Sequence, residues 1–378
     1  MTALREMRVD QVGSLLRPPP LADAFLACAR GERTRASLGP LLDAAVRDVV
    51  AKQGAIGFPV VTDGEFARVN WHVSFSEVEG WALDEATWAA FRANPAMRHD
   101  HERPHARGTD SIETYRMPAT ARLRLRRNFV LSEYRRLSSV ATAPGKAMLM
   151  GPDRVSQMCD VAGSAPHYAS AQDFLDDVVR VQSAMVGELV EAGCPYVQLD
   201  EPSYTGYVDR STLERMRARG EEPLANLRRA VAASNAVVAP HRGRAVFGLH
   251  ICRGNRASMW HREGTYDGIA EELFATLRFD RLLLEYDTAR AGGFEPLRFV
   301  PDGPVVVLGL VTTKTGAVEG VDALLRRIED ASRFIAVERL AISPQCGFAS
   351  GLAGNELTED EQWRKLEVLL ETARRVWG

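Results

Sequence analysis

The stretch Ala245-Val-Phe-Gly-Leu-His-Ile-Cys252 is an apolar run of strand length that closes on a histidine and a cysteine two residues apart. Apolar on both faces, it reads as a buried parallel strand. Side chains two apart on a strand point to the same face. An imidazole and a thiol therefore leave this strand end together. Two further runs of this kind follow. Arg281-Leu-Leu-Leu-Glu285 ends in a carboxylate, and Leu340-Ala-Ile-Ser-Pro-Gln-Cys346 leads to a second thiol.

Five more candidate strands complete the pattern: Val9–Ser14, Pro59–Asp63, Lys146–Met150, Tyr196–Asp200 and Val305–Gly309. Helical apolar spacing lies between them, at Leu41–Gln53, Ala171–Ala192, Ser258–Leu277, Val321–Val337 and Glu359–Val376. Strand and helix in alternation imply a parallel sheet. Eight strands imply an α/β fold of the (β/α)8 TIM-barrel type, one catalytic barrel over residues 1–378, with its site at the C-terminal strand ends. The interval between the second and third strands, about 67–145, is long enough for a lid or an inserted subdomain. Within it, His99, His101 and His105 read as a solvated polar loop, with metal binding as the alternative.

The bulk numbers bound the function. The chain has 378 residues, 46% hydrophobic and 26% charged, as a soluble globular protein does. A net charge of −3 leaves no electrostatic footprint for nucleic acid. No apolar run approaches the ~20 residues that span a bilayer. The start, Met1–Asp10, is polar and has no apolar signal core, so a reducing cytoplasm is expected. Five cysteines in a chain this long do not make a disulfide framework. Cys28, Cys159 and Cys194 lie in apolar surroundings and read as buried, inert thiols.

His250, Cys252, Glu285 and Cys346 together suit a tetrahedral Zn2+ site. Such a centre, rich in negative charge, would hold an incoming thiol as a nucleophilic thiolate. The chemistry this favours is alkyl transfer to sulfur. Taken singly, the same residues could be a salt-bridged glutamate and core cysteines.

Gly248-Leu-His-Ile-Cys252, Glu285 and Ser343-Pro-Gln-Cys-Gly347 resemble the zinc site of the cobalamin-independent methionine synthase family. Val12-Gly-Ser-Leu-Leu-Arg17, Asp63-Gly-Glu-Phe66 and Gln198-Leu-Asp-Glu-Pro202 resemble further elements of it. The likeness runs over most of the chain, which is similar to the short, single-barrel members. It also extends to epoxyalkane:coenzyme M transferase, a zinc-dependent relative. The resemblance implies zinc on the four residues above. It implies that Ser14 and its neighbouring backbone hold the carboxylate of homocysteine, and that Glu65 and Asp200 take its ammonium group. Arg17, Met158 and Tyr204 are further substrate-binding candidates, and Asp200 is a catalytic candidate beside Lys314. The alternative for Glu65 and Asp200 is a structural ion pair with an arginine such as Arg17 or Arg68.

Two departures concern the other substrate. The family places a donor-stacking tryptophan after its Gly-Pro element, whereas Gly151-Pro-Asp-Arg-Val-Ser-Gln-Met158 brings Met158 near that place. The family's seventh strand ends near a proton-transfer histidine, where this chain has Lys314. Lys314 is thus a candidate proton donor or anion ligand. Trp71, His72, Tyr204 and Tyr207 are candidate pocket walls. The leading expectation is zinc-dependent methyl transfer to homocysteine, from a methylfolate, a methylcorrinoid protein or a small electrophile. Epoxide opening by coenzyme M, another specialised thiol alkylation and a non-catalytic zinc-binding protein are the alternatives.

Overall fold

A computed structural model of the chain describes residues 2–81 and 116–378. Six strands form one parallel sheet in sequential order: β3 (Lys146–Met150), β4 (Tyr196–Asp200), β5 (Val246–Ile251), β6 (Arg281–Glu285), β7 (Val305–Val311) and β8 (Leu340–Pro344). Every residue in these strands is buried. That burial is why they read as continuous apolar runs rather than alternating ones.

The first two expected strands are present only as single bridges. Val9 pairs in parallel with Ile342 of β8, and Val61 with Gly145 at the start of β3. The two segments meet each other through the Leu15 N–H, which donates to the Gly64 carbonyl at 3.1 Å. The Thr62 hydroxyl donates to the Gly13 carbonyl at 2.7 Å. One backbone and one side-chain hydrogen bond thus join the two segments, short of a regular ladder.

Helices cover the sheet. Ala171–Glu191 buries Phe174, Val178, Val181, Met185 and Leu189 along one face. Each such side chain contributes ~1.5–3 kcal/mol. Its start is capped by Ser170, which accepts from the Asp173 N–H. Glu359–Trp377 begins with a reciprocal box between Thr358 and Glu361. Gly39–Ala55 and Val321–Ser332 also fall where apolar spacing put them. The expectation at Ser258–Leu277 is corrected. Only Ala270–Phe274 is α-helical there, and Ser258–Thr265 is irregular backbone folded over the strand ends. Ser258 and Gly264 both take positive φ, which a helix excludes.

The described parts of the 67–145 interval hold an antiparallel pair, β1 (Val78–Trp81) with β2 (Ala119–Leu125), and a helix, Phe129–Ser138. His99, His101 and His105 lie outside the described residues. Among the described residues, no helix is long and apolar enough to cross a membrane. All five cysteines are free; Cys159 and Cys194 are buried, and Cys28 is only half-buried.

At the N-terminal ends of the strands sits a closed charge cluster around Asp10. Its carboxylate accepts from Lys146 Nζ at 2.9 Å, the Tyr196 hydroxyl at 2.8 Å and Arg281 Nε at 3.0 Å. Those residues open β3, β4 and β6, and none of the three ionic side chains has any exposure. Burial opposes the charge, yet Lys146 and Arg281 hold the Asp10 carboxyl below its ordinary value. Replacing Asp10 by Asn leaves two buried cations with one neutral partner. We expect Asp10→Asn to lose ~3–5 kcal/mol of stability in denaturant unfolding at neutral pH. The depressed carboxyl also makes a stability contribution that is present above 3.8 and is lost as pH falls toward the lower folded value. That acid-sensitive component should be missing from Asp10→Asn.

Candidate active site

The opposite, C-terminal ends of the strands gather the chemistry. Asp200 ends β4 and lies in register with His250 of β5. His250 Nδ1 is 3.1 Å from Asp200 Oδ1, and its Nε2 is 3.2 Å from the Gln345 carbonyl. Gln198 donates to the same Asp200 oxygen at 2.7 Å. Both ring nitrogens thus face acceptors, and although burial opposes the charge, Asp200, Cys346 and the Gln345 carbonyl raise the His250 pKa. With Asp200 holding the Nδ1 proton, Nε2 is the nitrogen a metal would take in place of the Gln345 contact. Cys252 stands one residue beyond β5 and Cys346 two beyond β8. Their sulfurs are 3.9 Å apart.

His250, Cys252 and Cys346 are buried, and their ligand atoms lie within 4.8 Å of one another. Two sulfurs bound to one zinc ion at ~2.3 Å each would stand roughly 3.8 Å apart, so the thiol pair matches that span. The donor set is chemically ready. The hydrogen bond shared with Cys252 pushes the Cys346 thiol down to about 6, against burial and with help from His250 and Lys314. Cys252 is pushed up correspondingly by the same bond and by burial. Imidazole plus two thiols, one of them ionised near neutrality, fits zinc.

Glu285 ends β6, fully buried, but it is not in this three-residue cluster. Its carboxylate accepts from the Arg253 backbone N–H at 2.6 Å and from Arg290 Nη2 at 3.0 Å. Burial raises its pKa, but Arg253, Lys314 and Arg290 together hold it below the ordinary carboxylate value. The structure thus joins three of the four expected ligands and keeps the fourth in an arginine clamp next to them.

The cluster opens into a pocket of about 770 Å³, its mouth included, which Ser14, Glu65, Trp71 and Asp200 also line. The Ser14 hydroxyl accepts from the Ala349 N–H at 3.2 Å. Glu65 has φ +57, an uncommon backbone state for a glutamate that the surroundings must enforce. The Asp63 side chain enforces it by accepting from the Glu65 N–H at 2.9 Å. Glu65 pairs with Arg68 at 3.2 Å, while Arg68 also binds Glu133 at 2.7 Å. Burial lifts Glu65 to about 8, because Arg68 is shared and Asp200 and Glu133 are near.

Other expected residues are placed elsewhere. The Arg17 guanidinium donates to four backbone carbonyls, those of Glu65, Arg68, Ala349 and Gly351, and so pins two site loops from behind. Met158 is buried in the apolar core, outside the pocket lining. The Tyr204 hydroxyl meets Ser234 at 2.7 Å and the Ala230 carbonyl, also outside it. His72 and Tyr207 are buried without lining it, and Tyr207 donates to Asp153 at 3.1 Å. Lys314 Nζ donates to the Gly254 carbonyl at 3.0 Å and approaches Asn255 Oδ1 at 3.5 Å. Gly254 and Asn255 line the pocket, so Lys314 stands directly behind its wall.

The ionisable lining residues Arg154, Arg253, His261 and Arg262 were not read as site residues from the sequence, nor were Gly254, Asn255 and Ser350. Arg253 follows Cys252 directly and Arg154 follows the Gly-Pro element, so position alone could have signalled both. His261 and Arg262 fall in the segment mistaken for helix.

At the strand ends of this parallel sheet, a His/Cys/Cys cluster able to hold a metal ion thus stands beside buried acids. The chain belongs to the cobalamin-independent synthase, catalytic domain family, whose model matches residues 26–360. It is 37% identical over 379 residues to the uncharacterized protein YxjG of Bacillus subtilis, covering 98% of this chain and 94% of that one. It is 24% identical over 375 residues to the 5-methyltetrahydropteroyltriglutamate–homocysteine methyltransferase of Acidiphilium cryptum, covering 97% of this chain but 42% of that longer protein. Among solved structures, a candidate vitamin-B12 independent methionine synthase from Listeria monocytogenes superposes with a TM-score of 0.75 at 25% identity, over 98% of both chains.

Zinc content tests the cluster. The protein should bind one zinc ion per chain in competition with a chromophoric chelator. Cys346→Ser and His250→Ala should weaken that binding by at least about 100-fold, and Asp200→Asn by about 10–100-fold through loss of ring orientation.

Proposed function

We propose that the protein is a zinc-dependent enzyme that alkylates a thiol, in its simplest form methylating homocysteine to methionine. The observation that carries this is one pocket that holds both the His250/Cys252/Cys346 cluster and two buried acids, Glu65 and Asp200. We take the sheet to close as an eight-stranded barrel through the Val9 and Val61 segments. We take about 67–145 to be a lid or insertion within that barrel, and the cytoplasm to be the compartment in which the free thiols work.

His250, Cys252 and Cys346 would hold zinc, and Glu285 stands ready as a fourth ligand on release from Arg290. When bound, zinc supplies the Lewis acidity that keeps a substrate thiol ionised at neutral pH. Asp200 orients His250 and, with Glu65, accepts the ammonium of the amino-acid thiol. Ser14 and its neighbouring backbone receive the carboxylate. The thiolate sulfur attacks the alkyl carbon, a sulfur–carbon bond forms, and the bond from that carbon to the leaving group breaks. The leaving group takes a proton, and Lys314 behind the Gly254–Asn255 wall is the ammonium placed to supply it after a local shift. The donor is an activated alkyl compound such as a methylfolate, a methylcorrinoid protein or a small electrophile.

A second reading is favoured by one observation. Arg154 and Arg262 line the pocket, and a sulfonate thiol such as coenzyme M needs cationic partners. Epoxide opening by that thiol would use the same cluster but offer Glu65 and Asp200 no substrate ammonium to bind.

A thiol-alkylation assay on zinc-loaded protein decides between them. Homocysteine, then coenzyme M, would be paired with methyltetrahydrofolate, methylcobalamin and a simple epoxide. Methionine should form, and Cys346→Ser should abolish it; product only from epoxide and coenzyme M would move the protein to the second reading. Proton release gives an independent check. At pH 7 a Glu65 carboxyl held near 8 is mostly protonated, and pairing with an ammonium ionises it. Homocysteine binding should then release about two protons, one from the thiol and one from Glu65. Calorimetry in buffers of different ionisation enthalpy should show about one fewer for Glu65→Gln.

A further inference from the structure

His261 is an imidazole in the pocket wall whose two ring nitrogens are both buried and both without a hydrogen-bond partner. Leaving such groups unmet costs ~1–3 kcal/mol each, so a site that keeps them is built for something that meets them. The ring is not part of the His/Cys/Cys cluster. Its position is nonetheless tied to that cluster. The His261 and Arg262 N–H groups both donate to the Arg253 carbonyl, at 2.9 and 3.1 Å, one residue beyond Cys252. The ring lies against Gly254, where a Cβ would come within 2.4 Å of His261 Cδ2. Gly254 has φ +91, a conformation that glycine takes without strain.

Two guanidinium groups share this end of the pocket wall. Arg154, 2% exposed, comes from the helix Pro152–Gln157 that follows β3. Arg262, 6% exposed, is braced by donating to the Pro202 carbonyl at 2.5 Å and by Gln157 at 3.5 Å. Burial, then the charges of Arg262, Arg256, Lys314 and Arg154, push the His261 imidazole down to about 3. The ring is therefore neutral in the working range and offers one N–H donor and one acceptor. The pocket's acids, Glu65 and Asp200, arise from the loop after Val61 and from the end of β4. The cavity is thus lined by both carboxylates and cations, with the neutral His261 ring beside the charges of Arg262 and Arg154.

We propose that His261, Arg154 and Arg262 form an anion subsite that holds a carboxylate, sulfonate or phosphate group of the alkyl donor. This rests on the reading of the pocket as a thiol-alkylation site. The imidazole N–H donates to one anionic oxygen and the guanidinium groups to the others. The second ring nitrogen accepts from water or from a hydroxyl of the same molecule. The subsite selects donors by charge, because a donor with no anionic group would leave the imidazole N–H unmet and gain nothing from the neighbouring guanidinium groups.

The test is binding of inorganic sulfate to zinc-loaded protein labelled with ¹⁵N-histidine, with ionic strength held constant by chloride. The His261 ring signals, assigned by their loss in His261→Ala, should shift saturably with sulfate in the millimolar range. Arg262→Gln should weaken that response by at least about tenfold. Acetate and inorganic phosphate, titrated in parallel, rank the three anion classes. Homocysteine affinity, measured separately by calorimetry, should be unchanged by saturating sulfate. Failure of homocysteine to bind while sulfate still moves His261 would sink the thiol reading and leave the anion subsite standing. Unmoved His261 signals up to about 50 mM sulfate would overturn the subsite, since an affinity weaker than that is below any built site. Displacement of sulfate by homocysteine would also overturn it, by giving these cations to the carboxylate of the thiol.

Discussion

Asp10 is a carboxylate with no exposure, set between Lys146, Tyr196 and Arg281. These partners open three different strands, while Val9 next to Asp10 bridges to β8. One residue near the start of the chain thus ties the N-terminal ends of β3, β4 and β6 to the far edge of the sheet. A buried ion cluster is a poor source of net stability but a strong source of specificity, because every mismatched arrangement leaves a charge unpaired. It aligns the strands along their length. Alignment at this end sets the height at which Asp200, His250, Cys252 and Cys346 emerge at the other, since each strand between is only a few residues long.

Strand register then does the finer work at the site. Asp200 sits opposite His250 because β4 and β5 pair in parallel over their full length. That pairing places a carboxylate oxygen against one ring nitrogen, while the other faces the Gln345 carbonyl beside the thiols. Cys252 and Cys346 come from loops rather than strands, which allows their sulfurs to approach to 3.9 Å without straining the sheet. Glu285 shows the opposite behaviour. It ends its strand in full burial and is satisfied by Arg253 and Arg290 rather than by a position among the thiols.

The pocket's electrostatics follow from which loops reach it. Arg17 binds four carbonyls of the Glu65 and Ala349 loops, so a residue that resembles a substrate ligand serves to hold backbone in place. Glu65 is left with a share of Arg68 and is raised toward neutrality, poised to ionise against an incoming cation. His261, Arg154 and Arg262 line the same pocket, and the loop after β5 brings two of them.

Much of this was legible from residues alone. Continuous apolar runs identified β3 to β8, because strands buried on both faces leave no other pattern, and a histidine and two cysteines at strand ends marked the metal cluster. The resemblance of the surrounding motifs to a known family added Ser14, Glu65 and Asp200, and the pocket contains all three. Spacing could not show that Glu285 turns toward arginines, since a strand end fixes a backbone position and not a side-chain partner. It also misread Ser258–Leu277, where apolar residues at helical intervals instead pack an irregular loop onto the sheet. Met158 and Tyr204 are aromatic-like or polarizable groups close to the site in sequence, yet packing takes both into the core. Tertiary structure alone decided that Arg154, His261 and Arg262 face one cavity. Arg154 comes from the short helix after β3 and the other two from the loop after β5, about a hundred residues further on, and only the folding of these segments over the strand ends on either side of β4 puts them together.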